Sequence, residues 1–251
     1  MDWSRDHLLI AMHLYCQIPF GQMYKGNPTI IAVAEKMGRS PSSLAMKLVN
    51  FASLDPVHRA RGIKGLRNAS RADRATWEEF NSDWNGATEA AASAILSLPM
   101  ETPRAATAPR IPQIETDRIV QAVARKGQGF FRQAVLSSYR NACCVTGLAV
   151  PDLLVASHIV PWKANREQRL NPRNGLCLSN LHDKAFDKGL ISIDQEFRLL
   201  VGDALHKEAR RRAFAEANFL AYEGRRISFP ERFSPDPEFL RYHRERIFEA
   251  A

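Results

Sequence analysis

The chain has 251 residues, 45% of them hydrophobic and 25% charged, with a formal net charge of +8. This is a globular composition, long enough for one large domain or two small ones. No apolar run reaches the 18 or more residues of a membrane span, and four irregularly spaced cysteines give no disulfide framework. Charges at Asp2, Arg5 and Asp6 precede the first apolar run, so a signal peptide is not expected, and a cytoplasmic setting is. The basic excess favours a polyanionic partner.

Residues 99–116 open with PMETPRAATAPRIP, which holds four of the 14 prolines, and read as a linker. They divide the chain into domains at 1–98 and 117–251. In the first, Leu8, Leu9, Met12 and Tyr15 have helical spacing. Asn27-Pro28-Thr29 opens a second helix, because proline is tolerated where its missing N–H has no partner to lose. Gly38 ends it, and Ser40 to Ser43 cap a third helix carrying Leu44, Met46, Leu48, Val49 and Phe51 as its apolar residues.

Two short helices joined by Gly-Arg-Ser-Pro are what a helix-turn-helix requires, so a mostly helical, helix-turn-helix or winged-helix-like DNA-binding domain is expected. Arg39, Ser42, Ser43 and Lys47 are its candidate DNA contacts. His58 to Arg74 carries six Lys/Arg against one Asp and is interrupted by Gly62 and Gly65. It reads as an exposed loop or wing, with Arg59, Arg61, Lys64 and Arg67 as phosphate contacts; a merely solvated basic loop is the alternative. Trp77, Phe80 and Trp84 recur at helical spacing as core.

In the second domain, Asp117 to Tyr139 is mostly helical, with a candidate break at Gly127-Gln128-Gly129. Leu153–Ile159 and Leu176–Leu178 read as strands, Leu181–Lys188 as a helix, and Leu190–Ile193 and Arg198–Gly202 as further strands. His206 to Tyr222 reads as one helix with a core stripe at Ala209, Ala213, Phe214, Ala217 and Leu220, and Phe239–Phe248 as the last. His243 has no metal-ligand companion nearby, so it reads as packing or surface.

The order strand, loop, strand, helix is a ββα unit, and it brings His158, Asn174 and His182 into one neighbourhood. Hydrolysis of a phosphodiester needs a base for water, a cation against phosphate and an acid for the leaving oxygen. A neutral imidazole is a suitable base near pH 7. Lys163, Arg166, Arg169 and Arg173, between the two histidines, are candidate phosphate clamps.

From Tyr139 to Ile193 the chain resembles the HNH, or ββα-metal, endonucleases, in the branch found in bacterial restriction-type enzymes. The likeness rests on Cys144, Thr146 and Gly147, on Ser-His-Ile-Val-Pro-Trp, on Asn174-Gly175, and on His182 followed by Phe186-Asp187-Lys188-Gly189. The resemblance implies an α+β fold, a ββα-metal core with flanking helices, and metal-dependent cleavage of specific or modified double-stranded DNA by a homodimer. It further implies His158 as general base, Asn174 as the brace of the connection and His182 as metal ligand.

Many relatives carry Asp or His immediately before the base, where this chain has Ser157, a weak ligand. The expected metal set is therefore His182, Asp187 and Ser157, completed by phosphate and water. Asp183 or His158 itself are alternative ligands, and Asp187 can instead brace the Lys188-Gly189 turn. Magnesium or manganese is the expected ion. Cys143, Cys144 and Cys177 lack paired spacing, so structural zinc is not expected. The alternatives are a non-catalytic DNA-binding protein on a degenerate HNH scaffold, or a nuclease for branched DNA or RNA.

Overall fold

The computed structural model describes residues 2–60, 69–98 and 127–248. The chain divides into two compact units, residues 1–134 and 135–251. The expected linker at 99–116, the start of the Asp117–Tyr139 helix and the basic residues Arg61, Lys64 and Arg67 lie outside the described residues. Among the described residues no helix is long and apolar enough to cross a membrane.

Every regular element described in the first unit is helical. Helix α1 (Arg5–Gln17) is buried continuously from Leu8 to Cys16, beyond the one face that the spacing predicts. It packs against α3 (Pro41–Leu54), α5 (Arg71–Ser82) and α6 (Trp84–Leu96). A helix apolar on all sides takes the central position. Helix α2 (Pro28–Lys36) is capped by Asn27, whose Oδ1 accepts from Thr29 N at 2.9 Å. It ends at Gly38, whose φ of +63° is a left-handed conformation open to glycine. Ser40 caps α3 through Ser43 N.

Of the apolar residues expected on α3, Leu44, Leu48 and Phe51 are buried and Met46 is 54% exposed. Two expectations change here. The basic stretch after His58 is partly helical: α4 spans Pro56–Ala60, and α5 begins at Arg71 with a capping box between Ser70 and Asp73. Trp77 is only half-buried, meeting Tyr15 at 6.1 Å, whereas Phe80 and Trp84 are core.

Helix α7 spans Gly127–Ser138, and the stretch before it, on which the expected break at Gly127-Gln128-Gly129 depends, lies outside the described residues. In the second unit, strands β1 (Leu154–His158) and β2 (Gly175–Ser179) form an antiparallel hairpin, with His158 opposite Gly175 and Leu154 opposite Ser179. Helix α8 (Asn180–Asp187) packs on both strands. This hairpin and its flanking helices are consistent with an HNH-like α+β core.

A second hairpin joins β3 (Ile191–Ile193) to β4 (Leu199–Val201). The single helix expected over His206–Tyr222 is instead α9 (Asp203–Ala209), a break at Arg210–Arg212, and α10 (Ala213–Asn218). The break shifts the helical phase. Ala215 and Phe219 are buried in place of the expected stripe, and Phe214 is 62% exposed.

Helix α11 (Pro237–His243) and the single π turn after it (Arg244–Phe248) cover the last expected helix. His243 is a packing residue: it stacks on Phe186 at 3.6 Å, its Nε2 donates to the Phe186 carbonyl, and its Nδ1 accepts from Ser192 Oγ. Burial lowers its pKa from 6.5 to about 4, with the Arg244 charge acting the same way and the Phe186 carbonyl opposing.

Acid therefore weakens the unit. Above pH 6.5 the imidazole is neutral folded or unfolded; between 6.5 and about 4 the unfolded chain takes up a proton that the folded one refuses. The loss reaches about 3 kcal/mol and then levels off. Urea unfolding of wild type and His243→Gln at pH 7.5, 6, 5 and 4 reads it as a difference between the two that changes across this window and not above it.

Candidate functional site

The site is built from the end of β1, the loop to β2, and the first turns of α8. Strand pairing holds His158 at the open end of the hairpin, where the chain leaves the ladder. Its Nε2 lies 2.9 Å from the Arg169 carbonyl. A carbonyl only accepts, so Nε2 carries the hydrogen and Nδ1 carries the lone pair. Burial lowers the His158 pKa, against the pull of the Arg169 carbonyl and the Asp183 carboxylate, which keeps the ring in its neutral, basic form.

Asn174 is 1% exposed and closes the loop. Its Oδ1 accepts from Val160 N at 2.8 Å, and its Nδ2 donates to the carbonyls of Val160 and Gln168. Its own carbonyl accepts from Ile159 N. The asparagine therefore ties Val160 and Gln168 to the start of β2.

His182 is 2% exposed at the start of α8, where Ser179 is the N-cap. Its Nε2 donates to the Asn218 carbonyl at 2.9 Å, and its Nδ1 faces Ser179 Oγ at 2.9 Å. Because Nε2 carries the hydrogen, the serine hydroxyl donates to Nδ1. Both ring nitrogens are thus engaged by the protein. Burial lowers the pKa of this ring as well, with the Asn218 carbonyl opposing.

The other members of the expected metal set lie in different environments. Ser157 is 2% exposed, opposite Leu176 in the ladder, and its Oγ is buried without a hydrogen-bond partner. Asp187, at the end of α8, has its pKa raised by burial first and then by Asp183, with Lys184 and Lys188 opposing. Among the described residues, no group of three or more His, Cys, Asp or Glu is disposed to hold a metal ion. Of the expected donors, His182 has both ring nitrogens engaged by Ser179 and Asn218 in this arrangement. The carboxylate coupled to His158 is Asp183, one residue beyond the histidine that the motif singles out.

Cys143, Cys144 and Cys177 lie in one buried cluster, whereas Cys16 is buried in α1 of the first unit. Cys144 N donates to the Cys177 carbonyl at 2.8 Å. Burial, followed by the neighbouring Cys143 and Cys177, pushes the Cys144 thiol well above its ordinary range, so it is protonated.

The cations expected at phosphates separate by environment. Lys163 and Arg166 are exposed in the loop, and Arg173 pairs with Asp236 at 3.3 Å. Arg169 is half-buried, with its guanidinium 4.7 Å from the Trp162 ring centroid. In the first unit, Lys47 is buried and pairs with Asp73 at 2.7 Å, so here it is a core ion pair and not a surface contact. Arg39 lies 4.2 Å over Trp3 and donates to His7 and to the Asp2 carbonyl. Ser42 and Arg59 are exposed, and Ser43 is partly so.

Residues 143–194 match the family described as HNH endonuclease. The match covers about a fifth of the chain and includes His158, Asn174 and His182. It supports the HNH nuclease superfamily in general for this segment. No curated protein matches the chain.

Proposed function

We propose that this chain is a nucleic-acid-binding protein on an HNH scaffold, with duplex DNA, unmodified or modified, as its partner. The observation that carries this reading is the state of His182: both nitrogens of the ring that would ligate an ion are satisfied by Ser179 and Asn218. The weak ligand at Ser157 and the lack of a three-residue donor group among the described residues support it further. The helical first unit, with Ser42 and Met46 exposed on α3, supplies a second surface toward DNA.

A second reading, cleavage of DNA or RNA, is favoured by His158. Its tautomer leaves Nδ1 as the basic nitrogen, and the Asn174 brace is complete. There His158 Nδ1 would take the proton of the attacking water. The restriction-type activity, the homodimer and the magnesium or manganese ion belong to this reading, and the ion would require His182 to release Ser179 or a ligand set built around Asp183.

Incubation with supercoiled plasmid, unmodified or carrying methylated cytosine, in Mg²⁺, Mn²⁺ or EDTA separates the two. The first reading expects retarded mobility in all three conditions and an intact supercoil; metal-dependent nicking supports the second.

A further inference from the structure

The loop from Val160 to Arg169 joins two residues of the motif, His158 and Trp162, to Arg169, which the motif does not include. Arg169 contributes to it twice. Its backbone carbonyl fixes the His158 tautomer, while its side chain folds back so that Nε donates to the Trp162 carbonyl at 2.9 Å and the guanidinium lies over the Trp162 ring. Trp162 in turn meets the His158 ring edge-on at 5.4 Å. Arginine suits such a seat, because its planar cation stacks on an aromatic face and leaves its outer nitrogens as a fork.

No carboxylate pairs with this guanidinium among the described residues, whereas Arg173 pairs with Asp236 and Arg140 with Glu231. Arg225 and Arg226 also lie near aromatic rings, but both are exposed and outside the HNH-matched segment. Arg169 is half-buried beside the histidine of the site, with its Nε engaged and its guanidinium over a ring. An anion with two oxygens matches the fork of its outer nitrogens.

We propose that Arg169, seated on Trp162, is the phosphate anchor of the HNH-matched segment, its outer nitrogens gripping a nucleic-acid backbone phosphate beside His158 without a divalent ion. The inference rests on the nucleic-acid-binding reading above. Trp162 is the positioning residue and Arg169 the group that touches phosphate. Two parallel N–H···O bonds to phosphate need the arginine fork; a lysine supplies the charge without the geometry.

The test is binding of a fluorescein-labelled DNA duplex in EDTA across a salt series, with melting curves for every variant. Arg169→Ala is expected to weaken binding roughly 10- to 100-fold, the worth of a charge-assisted hydrogen bond. It should also lower the slope of log K against log salt by about 1. Arg169→Lys recovers the slope but not the full affinity, and Trp162→Ala loses affinity with the slope kept. Lys207→Ala, which removes the same charge from the surface of α9, changes affinity by less than about threefold.

Arg169→Ala binding within about twofold of wild type overturns the inference. So does an equal loss in Lys207→Ala. Failure of the wild type to bind DNA at any salt overturns the reading beneath it instead.

Discussion

Asn174→Ala destabilises the second unit by roughly 3–5 kcal/mol, because a buried polar group left without its partner costs about 1–3 kcal/mol and this side chain serves several. Val160 N loses its acceptor, and the Val160 and Gln168 carbonyls lose their donor. Alanine also leaves space where a buried side chain stood. Asn174→Asp does not rescue the fold: it keeps the acceptor for Val160 N but faces two carbonyls with a carboxylate that cannot donate. Urea titration followed by far-ultraviolet circular dichroism measures the effect as a lowered midpoint. A wild-type midpoint in Asn174→Ala would mean that the loop is held by something other than this side chain. The consequence extends to the site, since His158 is fixed through the Arg169 carbonyl at the far end of the same loop.

The second large effect lies in the first unit, at Lys47 and Asp73. Asp73 Oδ1 accepts from Lys47 Nζ at 2.7 Å, and its Oδ2 accepts from Asn50 Nδ2 and from Ser70 N. One carboxylate thus joins α3 to α5 and completes the cap of α5. Asp73→Ala strands an ammonium that is 9% exposed. Removing one partner of a buried ion pair costs about 3–5 kcal/mol, whereas exchanging both for apolar side chains of similar volume is often neutral.

The double variant Lys47→Met, Asp73→Leu should therefore be far more stable than Asp73→Ala. It retains a deficit of about 1 kcal/mol for the lost cap. Thermal unfolding of wild type, the single variant and the double variant measures this. Equal losses in the single and double variants would show that the cap, and not the ion pair, carries the energy. Lys47 is buried in this pair, while Ser42 and Met46 are the side chains that α3 exposes nearby.

These two sites illustrate what a linear reading can and cannot reach. The caps at Asn27 and Ser40, the end of α2 at Gly38 and the four strands follow from signals a few residues long, and each is found near its expected place, whereas the pairing of β3 with β4 is not foreseen. The motif singles out Asn174, but its bonds to Val160 and Gln168 depend on how the loop closes. Lys47 was not legible as an ion pair, because Asp73 lies 26 residues away and nothing local separates a buried lysine from a solvated one.

His182 has the same difficulty. Its local partner, Ser179, is an ordinary N-cap, but the Asn218 carbonyl that occupies its other nitrogen is 36 residues downstream. Asn218 sits at the end of α10, in the stretch where the sequence predicts one continuous helix. The break at Arg210–Arg212 carries no glycine or proline, so helical periodicity ran through it unmarked. The seat of Arg169 on Trp162 depends on a loop closing on itself, which spacing alone does not encode.

The central claim, that the HNH-matched segment holds nucleic acid without an assembled metal centre, is tested most directly by supercoiled plasmid offered to wild type and His158→Ala side by side, in Mn²⁺ and in EDTA. The account predicts that both proteins retard the plasmid in both conditions and that it stays supercoiled throughout. Conversion to nicked or linear DNA by the wild type in Mn²⁺, absent in EDTA and absent with His158→Ala, would contradict it and establish His158 as the base of a working nuclease.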